Sequence, residues 1–301
     1  MLLRRFYYIV KAINDILMIF SEKISSSKER PKDKSNEVYR KELLGAMRYI
    51  TEEVNETCGT TLLSEDATVS MKQFGYSKEE VEADKKKMKD KQDTWIRRDN
   101  GLNPDVEVSK ELRDTWLQDQ EKKNKTRKSD LAEMVATVLF HKVLGEEYVI
   151  ARASKYDDYF GFDNIIVHKA TGTVVCTFDD IHDRKEGNTI EEKRREVIRS
   201  AQKGGATIKY GFTFKNNLLV KEQIDHVPKL YMAFDMTELN EALESVNVSD
   251  MKSISAGEYK AYNRMIENFE SQIEMLKSNS THPTLREHIE KFERLLPELK
   301  R

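Results

Sequence analysis

Cysteine is scarce in this sequence, and its two copies lie far apart. Cys58 and Cys176 form neither a CxxC pair nor a disulfide framework in the 301-residue chain. A structural zinc site needs several Cys or His ligands at short spacings, so this class of site is excluded. Thiols without a disulfide framework are typical of a reducing compartment. The sequence therefore predicts a cytoplasmic protein.

Net charge and long apolar runs are also missing. The chain has 51 Lys and Arg against 53 Asp and Glu, a formal net charge of -2. A nucleic-acid partner would therefore need a local basic patch. The most apolar segment, residues 1–20, is interrupted by Lys11, Asn14 and Asp15, so no membrane span is predicted. Its apolar residues share one helical face, which favours an amphipathic docking helix; a membrane-surface anchor is the alternative.

The common catalytic signatures are absent as well. The sequence contains no HExxH, no glycine-rich phosphate loop, no dinucleotide fingerprint and no GxSxG. Cys176 lies within an apolar strand, where a buried structural thiol is the usual outcome. His141 lies on an apolar helix and is expected to be a satisfied core or surface histidine.

Hydrophobic periodicity divides the chain into five segments. The first is the N-terminal helix, and a polar linker follows it. A charged helical region comes next, then an α/β core, and a C-terminal helical region closes the chain. The predicted bounds are 1–20, 21–36, 37–128, 129–235 and 236–301.

Strand and helix patterns alternate within the predicted core. A helix opens at Ser129 or Asp130 and ends at Gly145. Three strands, a basic helix and two or three further strands follow, with a tight hairpin turn at 170–172. The sequence predicts an α+β fold with a central mixed β-sheet of about five to six strands flanked by helices, plus long helical extensions at both ends.

Several carboxylates are placed on this predicted sheet. Asp163 lies inside an apolar strand, while Asp179 and Asp180 end the next one. Pairing through the turn at 170–172 brings Asp163 close to residue 179 or 180. Glu133 lies in the first turn of the preceding helix. Such acids are typical ligands of Mg²⁺ or Mn²⁺, ions that polarise phosphodiesters.

The segments YDDYFGFDNIIV and VVCTFDDI, with the helix–strand–strand–strand–helix–strand order, resemble the PD-(D/E)XK, or restriction-endonuclease-like, nuclease superfamily. The resemblance implies Asp163 and Asp179 as metal-binding acids and Glu133 as the helix acid. It covers about 105 residues. The family's acid-x-Lys motif is incomplete, because Ile181 stands at the lysine position.

The next helix can supply the missing lysine. Lys193 is the first candidate and Lys185 the second. The same helix and the hairpin after it carry a basic patch that could contact phosphates. The predicted nucleic-acid-binding residues are Arg194, Arg195, Arg199, Lys203 and Lys209.

Each acid also has a structural interpretation. Asp130 and Glu133 have the spacing of a helix capping box. Asp179 and Asp180 can simply terminate a strand. Asp163 can face solvent on a one-sided sheet. The adjacent pair at 157–158 is more typical of a solvated turn than of a site.

Two functions therefore follow from the sequence. The first is a divergent metal-dependent nuclease that uses Asp163, Asp179, Glu133 and Lys193, with Asp180 as a further metal ligand. The second is a catalytically inactive fold of the same kind that binds nucleic acid or protein. In either case the helical flanks are expected to contact a protein partner or a second copy of the chain.

Overall fold

The computed structural model describes residues 34–59, 61–72, 74–124, 127–182, 189–216 and 218–300, without the side chains of residues 124, 180–182 and 189. The predicted N-terminal helix at 1–20, most of the predicted linker and Lys185 lie outside the described residues. Residues Asn36–Arg301 cluster as one compact unit.

Helices account for most of this unit. Three of them begin with a capping box, in which a Ser or Asp side chain and the Glu three residues later satisfy the free N–H groups of the first turn. The helices are α1 (Asn36–Cys58), α2 (Lys78–Asp99), α3 (Lys110–Asn124), α4 (Lys128–Leu144), α5 (Lys155–Tyr159), α6 (Thr189–Gln202), α7 (Met236–Ser245), α8 (Ala256–Asn279) and α9 (Pro283–Leu299).

Six strands form two sheets. The strands are β1 (Tyr148–Arg152), β2 (Asn164–His168), β3 (Val174–His182), β4 (Ala206–Lys215), β5 (Leu218–Val227) and β6 (Lys229–Phe234). One sheet has the order β1-β2-β3-β6, and the other contains β4 and β5. In the first sheet β1 and β3 run antiparallel to β2, whereas β6 runs parallel to β3.

The prediction of an α+β fold is confirmed, but the strands do not join into one sheet of five or six. The chain passes from β5 to β6 through a bend at two residues. His226 has a left-handed backbone with φ 62°, and Pro228 has no N–H to donate. The Pro228 carbonyl accepts a bond from the Thr177 amide of β3, so the next residues pair with β3 instead of extending the hairpin.

The β2–β3 turn lies against the second sheet. Gly172 has φ 66°, and a Cβ at this position would meet the Phe214 carbonyl oxygen at 2.1 Å. The Thr213 hydroxyl also donates to the Gly172 carbonyl. Glycine is therefore required here both for its conformation and for the close approach of the β4 backbone.

The core is built around α4. Twelve of its side chains are buried, which explains its apolar sequence. The helix packs against β1, β3, α1 and α8, so it joins the sheet to helices from both flanks. The helix begins at Lys128, one or two residues before the predicted start, and ends at Gly145 as predicted. Within the described ranges, every helix is too short or too polar to span a lipid bilayer.

Candidate active-site cleft

An open cleft of about 830 Å³ lies beside the end of the four-stranded sheet. Its walls come from α2, the end of α5 and the segment after it, β3, α6, and the first residues of β4 and β6. Six lysine and arginine side chains and four carboxylates line it, in a chain whose net charge is negative. These charged residues are Lys91, Arg98, Lys193, Arg199, Lys203, Lys229, Asp158, Asp163, Asp179 and Glu196.

Two of these acids face each other across neighbouring strands. Asn164 pairs with Phe178 in the β2–β3 ladder, which places Asp163 opposite Asp179. The Asp163 amide donates to the Phe178 carbonyl at 3.0 Å. Asp163 directly precedes the first paired residue of β2, and both acids line the cleft. The predicted hairpin register is therefore observed.

Lys193 of α6 contacts one of these acids. Its Nζ donates to Asp179 Oδ2 and to Glu196 Oε2, the latter at 3.1 Å. Burial alone would lower the pKa of Lys193, but attraction and hydrogen bonding from Asp179 and Glu196 outweigh it. The pKa of Lys193 lies above its usual value, so this side chain is a stable cation. The structure thus brings Lys193, the lysine predicted from the next helix, to Asp179.

A second lysine in the cleft was not predicted. Lys229 is the first residue of β6 and pairs with Thr177 of β3. Its Nζ lies 3.8 Å from Glu196 and would be 3.0 Å from a Cβ at Gly161, whose φ is 89°. Burial lowers the pKa of Lys229; Asp179 opposes this effect and Lys193 adds to it. The sequence offers no signal for this placement except a lysine at the head of an apolar strand.

The helix α5 brings a third acid to the cleft. It is anchored by Asp157, a buried carboxylate that accepts from the Lys209 and Tyr210 amides at 2.8 and 3.1 Å. The solvated-turn interpretation is therefore wrong for Asp157, which is 1% exposed. Its neighbour Asp158 lines the cleft. Asp158 is exposed, but partial desolvation by the surrounding protein raises its pKa; Arg152 opposes this rise and Asp179 reinforces it.

Lys91 closes the cleft from α2. Its Nζ donates to the Tyr159 carbonyl and lies 4.7 Å from the centre of the Phe160 ring. Burial lowers the pKa of Lys91, and the nearby Lys229 adds to this effect. Sequence reasoning placed Lys91 on an exposed charged helix, because nothing local indicates that α2 packs against α5.

Glu133 does not line the cleft and forms an ion pair with Arg152 instead. Its Oε1 accepts from Arg152 Nε and Nη2, both at 2.5 Å. Burial raises the pKa of Glu133, and the guanidinium of Arg152 opposes this rise. The capping-box interpretation is wrong, because Arg127 is the N-cap of α4 and makes no side-chain cap bond. The catalytic role of Glu133 stays a prediction, and its contacts favour a structural ion pair.

The predicted nucleic-acid-binding residues divide by position. Arg199 and Lys203 line the cleft. Arg194 is exposed and pairs with Glu191 at 3.6 Å. Arg195 is also exposed, on the same helix.

The fifth predicted binding residue, Lys209, occupies a different environment. Its Nζ lies 2.5 Å from Asp84 Oδ2, a carboxylate that is fully buried. Tyr210 donates to the same oxygen at 2.9 Å. Lys209 therefore neutralises a buried acid, and its predicted contact with nucleic acid receives no support from this position.

The donor set suits a hard divalent cation with few protein ligands. The described residues contain no group of three or more His, Cys, Asp or Glu arranged to hold a metal. Mg²⁺ often takes only one or two carboxylates and completes its coordination with water and substrate phosphate oxygens. Asp163 and Asp179 fit this mode. The side chain of Asp180, the third predicted ligand, lies outside the described part, although its backbone pairs with Met232 in β6.

Five charged residues in the cleft were missed by sequence reasoning as members of the site. They are Lys91 and Arg98 from α2, Asp158 from α5, Glu196 from α6 and Lys229 from β6. The chain matches no family model, and it shows no significant similarity to any curated protein or solved structure. The geometry of the cleft is therefore the basis for a functional assignment.

Proposed function

We propose that this protein is a metal-dependent phosphodiesterase that cleaves DNA in the cleft. The observation that carries the proposal is the meeting of Asp163 and Asp179 with Lys193 and Lys229 at one open, cation-rich surface. The predicted resemblance to PD-(D/E)XK nucleases adds support. The sheet β1-β2-β3-β6 follows α4, with α5 inserted after β1, and β6 runs parallel to β3 after α6 and the β4–β5 hairpin.

Asp163 and Asp179 would hold a Mg²⁺ or Mn²⁺ ion. Such an ion supplies polarisation of the phosphodiester and a lowered pKa for a bound water. Lys193, which remains protonated, would stabilise the negative charge that builds on the phosphate.

The pKa of Lys229 is shifted in the opposite direction from that of Lys193. Its pKa lies below the usual value for a lysine, and a lowered pKa makes a lysine a better proton acceptor. Lys229 is therefore the candidate to accept a proton from the attacking water. Together, Lys193 and Lys229 would replace the single lysine of the incomplete acid-x-Lys motif.

The rim of the cleft would bind the nucleic-acid backbone. Arg98 of α2, Arg199 of α6 and Lys203, directly after α6, present cations along its walls. Contacts of this kind release counterions from the nucleic acid, so affinity would fall steeply as salt is raised. We also infer a reducing, cytoplasmic setting, since Cys58 and Cys176 are free thiols.

A catalytically inactive binding module is the second candidate. It is favoured by the bond from Lys193 to Asp179, which already neutralises one acid, and by the two-carboxylate donor set. In this case the cleft would bind nucleic acid without cleaving it, and the helical flanks would contact a protein partner or a second copy of the chain.

Cleavage of labelled DNA in Mn²⁺ separates the two candidates. The wild type should cut, Asp163→Ala and Asp179→Ala should not, and Lys193→Met and Lys229→Met should be strongly slowed. Asp105→Asn is a matched control, because this exposed acid lies in a loop and does not line the cleft. Circular dichroism checks that each variant is folded. Cutting that survives in both acid variants would remove the proposed site, and tight DNA binding without any cutting would favour the inactive module.

A further inference from the structure

A second groove of about 780 Å³ adjoins the cleft. The two share Trp95, Arg98, Asp158 and Tyr159 among their lining residues. The Trp95 and Tyr159 rings are stacked, with centroids 5.1 Å apart and planes inclined by 26°. This stack therefore stands at the junction between the two cavities, beside the acid Asp158.

The groove continues along α3. Both tryptophans of the chain line it, and Trp116 lies beside Leu117, which is 41% exposed. None of the described side chains of α3 is buried. The helix is instead fixed to α2 by a bidentate pair from Arg113 to Asp93, with both bonds at 2.9 Å. Trp116 and Leu117 of α3 thus line the groove instead of a core.

The charge of the groove suits a polyanion. Arg98, Lys123 and Arg127 line it, against the acids Asp99 and Asp158. Asp99 is itself engaged, since its carboxylate accepts from the Trp116 indole at 3.1 Å and from Arg98 at 3.1 Å. Aromatic rings beside cations along a groove are the arrangement that binds single-stranded nucleic acid, with bases on the rings and phosphates on the cations. The rings of Trp95, Trp116 and Tyr159 are half-buried, so part of each is accessible from the groove.

We propose that this groove binds the single-stranded continuation of the strand that enters the cleft. The inference rests on the proposed function and narrows its substrate to nucleic acid with a single-stranded region. Bases would stack on Trp116 and on the Trp95–Tyr159 pair, while Lys123 and Arg127 contact phosphates. A blunt duplex buries its base faces in its own helix, so it cannot use these rings.

Tryptophan fluorescence tests the groove without any cleavage. The full chain in EDTA is titrated with a short oligothymidylate and, separately, with a blunt duplex of equal length. Because both tryptophans line the groove, the single strand should quench the emission to saturation, and the duplex should bind more weakly. Trp116→Ala should weaken binding of the oligothymidylate by about tenfold, which corresponds to about 1.4 kcal/mol of base stacking.

A pair of adjacent lysines provides the control. Lys123 lines the groove, whereas Lys122, also exposed, does not and lies 3.8 Å from Asp119. A plot of log affinity against log salt has a negative slope, and Lys123→Glu should make this slope shallower by about 1 or more. Lys122→Glu should change the slope less.

Three results would overturn the proposal: no quenching by the oligothymidylate, equal affinity for the blunt duplex, or equal effects of the two lysine substitutions. Because the titration contains no metal, quenching by a protein that cuts no DNA would keep the groove and remove the nuclease. Cutting of DNA without quenching would keep the nuclease and remove the groove as a binding site.

Discussion

Replacing Arg152 tests whether Glu133 serves the fold or the chemistry. Arg152 bonds Glu133 at 2.5 Å and lies 3.5 Å from Asp66 and 4.0 Å from Asp130. Arg152→Met leaves these three carboxylates without their shared cation. The change lies outside the residues that line the cleft, so its first effect should be on stability.

The expected loss of stability follows from how deeply the ion pair is buried. The Arg152 and Glu133 side chains are 18% and 17% exposed, between a buried and a surface pair. Losing one partner of a buried pair costs about 3–5 kcal/mol, and a surface pair contributes about 0–1 kcal/mol. We expect Arg152→Met to lower the free energy of unfolding by about 2–3 kcal/mol. For a domain of this size, that corresponds to a fall in Tm of about 4–12 °C.

Urea unfolding, followed by circular dichroism, measures the loss. The double variant Arg152→Met/Glu133→Met removes both charges, so it should recover about 1 kcal/mol relative to Arg152→Met alone. Glu133→Gln should keep DNA cleavage near the wild-type rate. The reasoning is refuted if Arg152→Met changes stability by less than about 0.5 kcal/mol, the range of ordinary surface substitutions. It is equally refuted if Glu133→Gln leaves stability intact and abolishes cleavage.

Three further predictions concern buried groups. Burial lowers the pKa of Lys229, so the charged side chain destabilises the folded protein and Lys229→Met should raise Tm at pH 7. This gain in Tm should shrink as the pH rises from the folded-state pKa to the unfolded value of 10.5. A lower Tm for the variant at pH 7 would contradict the prediction. Lys142 and Glu258 form an ion pair whose side chains are 0% and 1% exposed. Lys142→Met should therefore lower the free energy of unfolding, measured in urea, by about 3–5 kcal/mol. A decrease below about 1 kcal/mol would contradict this prediction. The Cys176 thiol is inaccessible, and burial raises its pKa. A thiol reagent should therefore label the half-buried Cys58 first and Cys176 only after the protein unfolds.

Local pattern was sufficient to predict the central hairpin. Two apolar runs joined by the turn at 170–172 predicted the pairing of β2 with β3, and this pairing placed Asp163 near residue 179 or 180. Helical spacing also put Lys193 on a helix after β3, from which it reaches Asp179. Each of these features depends on residues close in sequence, where periodicity carries information.

The missed features depend on residues that are distant in sequence. Lys229 reaches the cleft because β6 pairs in parallel with β3, about fifty residues earlier in the chain. Lys91 reaches it because α2 packs on α5. The separation of β4 and β5 into their own sheet follows from the bend at His226 and Pro228, which hydrophobic pattern does not encode.

Calorimetric titration with Mn²⁺ tests most directly whether Asp163 and Asp179 share one cation. The account predicts one site per chain, absent in Asp163→Asn and in Asp179→Asn and retained in Asp105→Asn. Heat of binding that is unchanged by either cleft substitution, or no binding heat in the wild type, would contradict it.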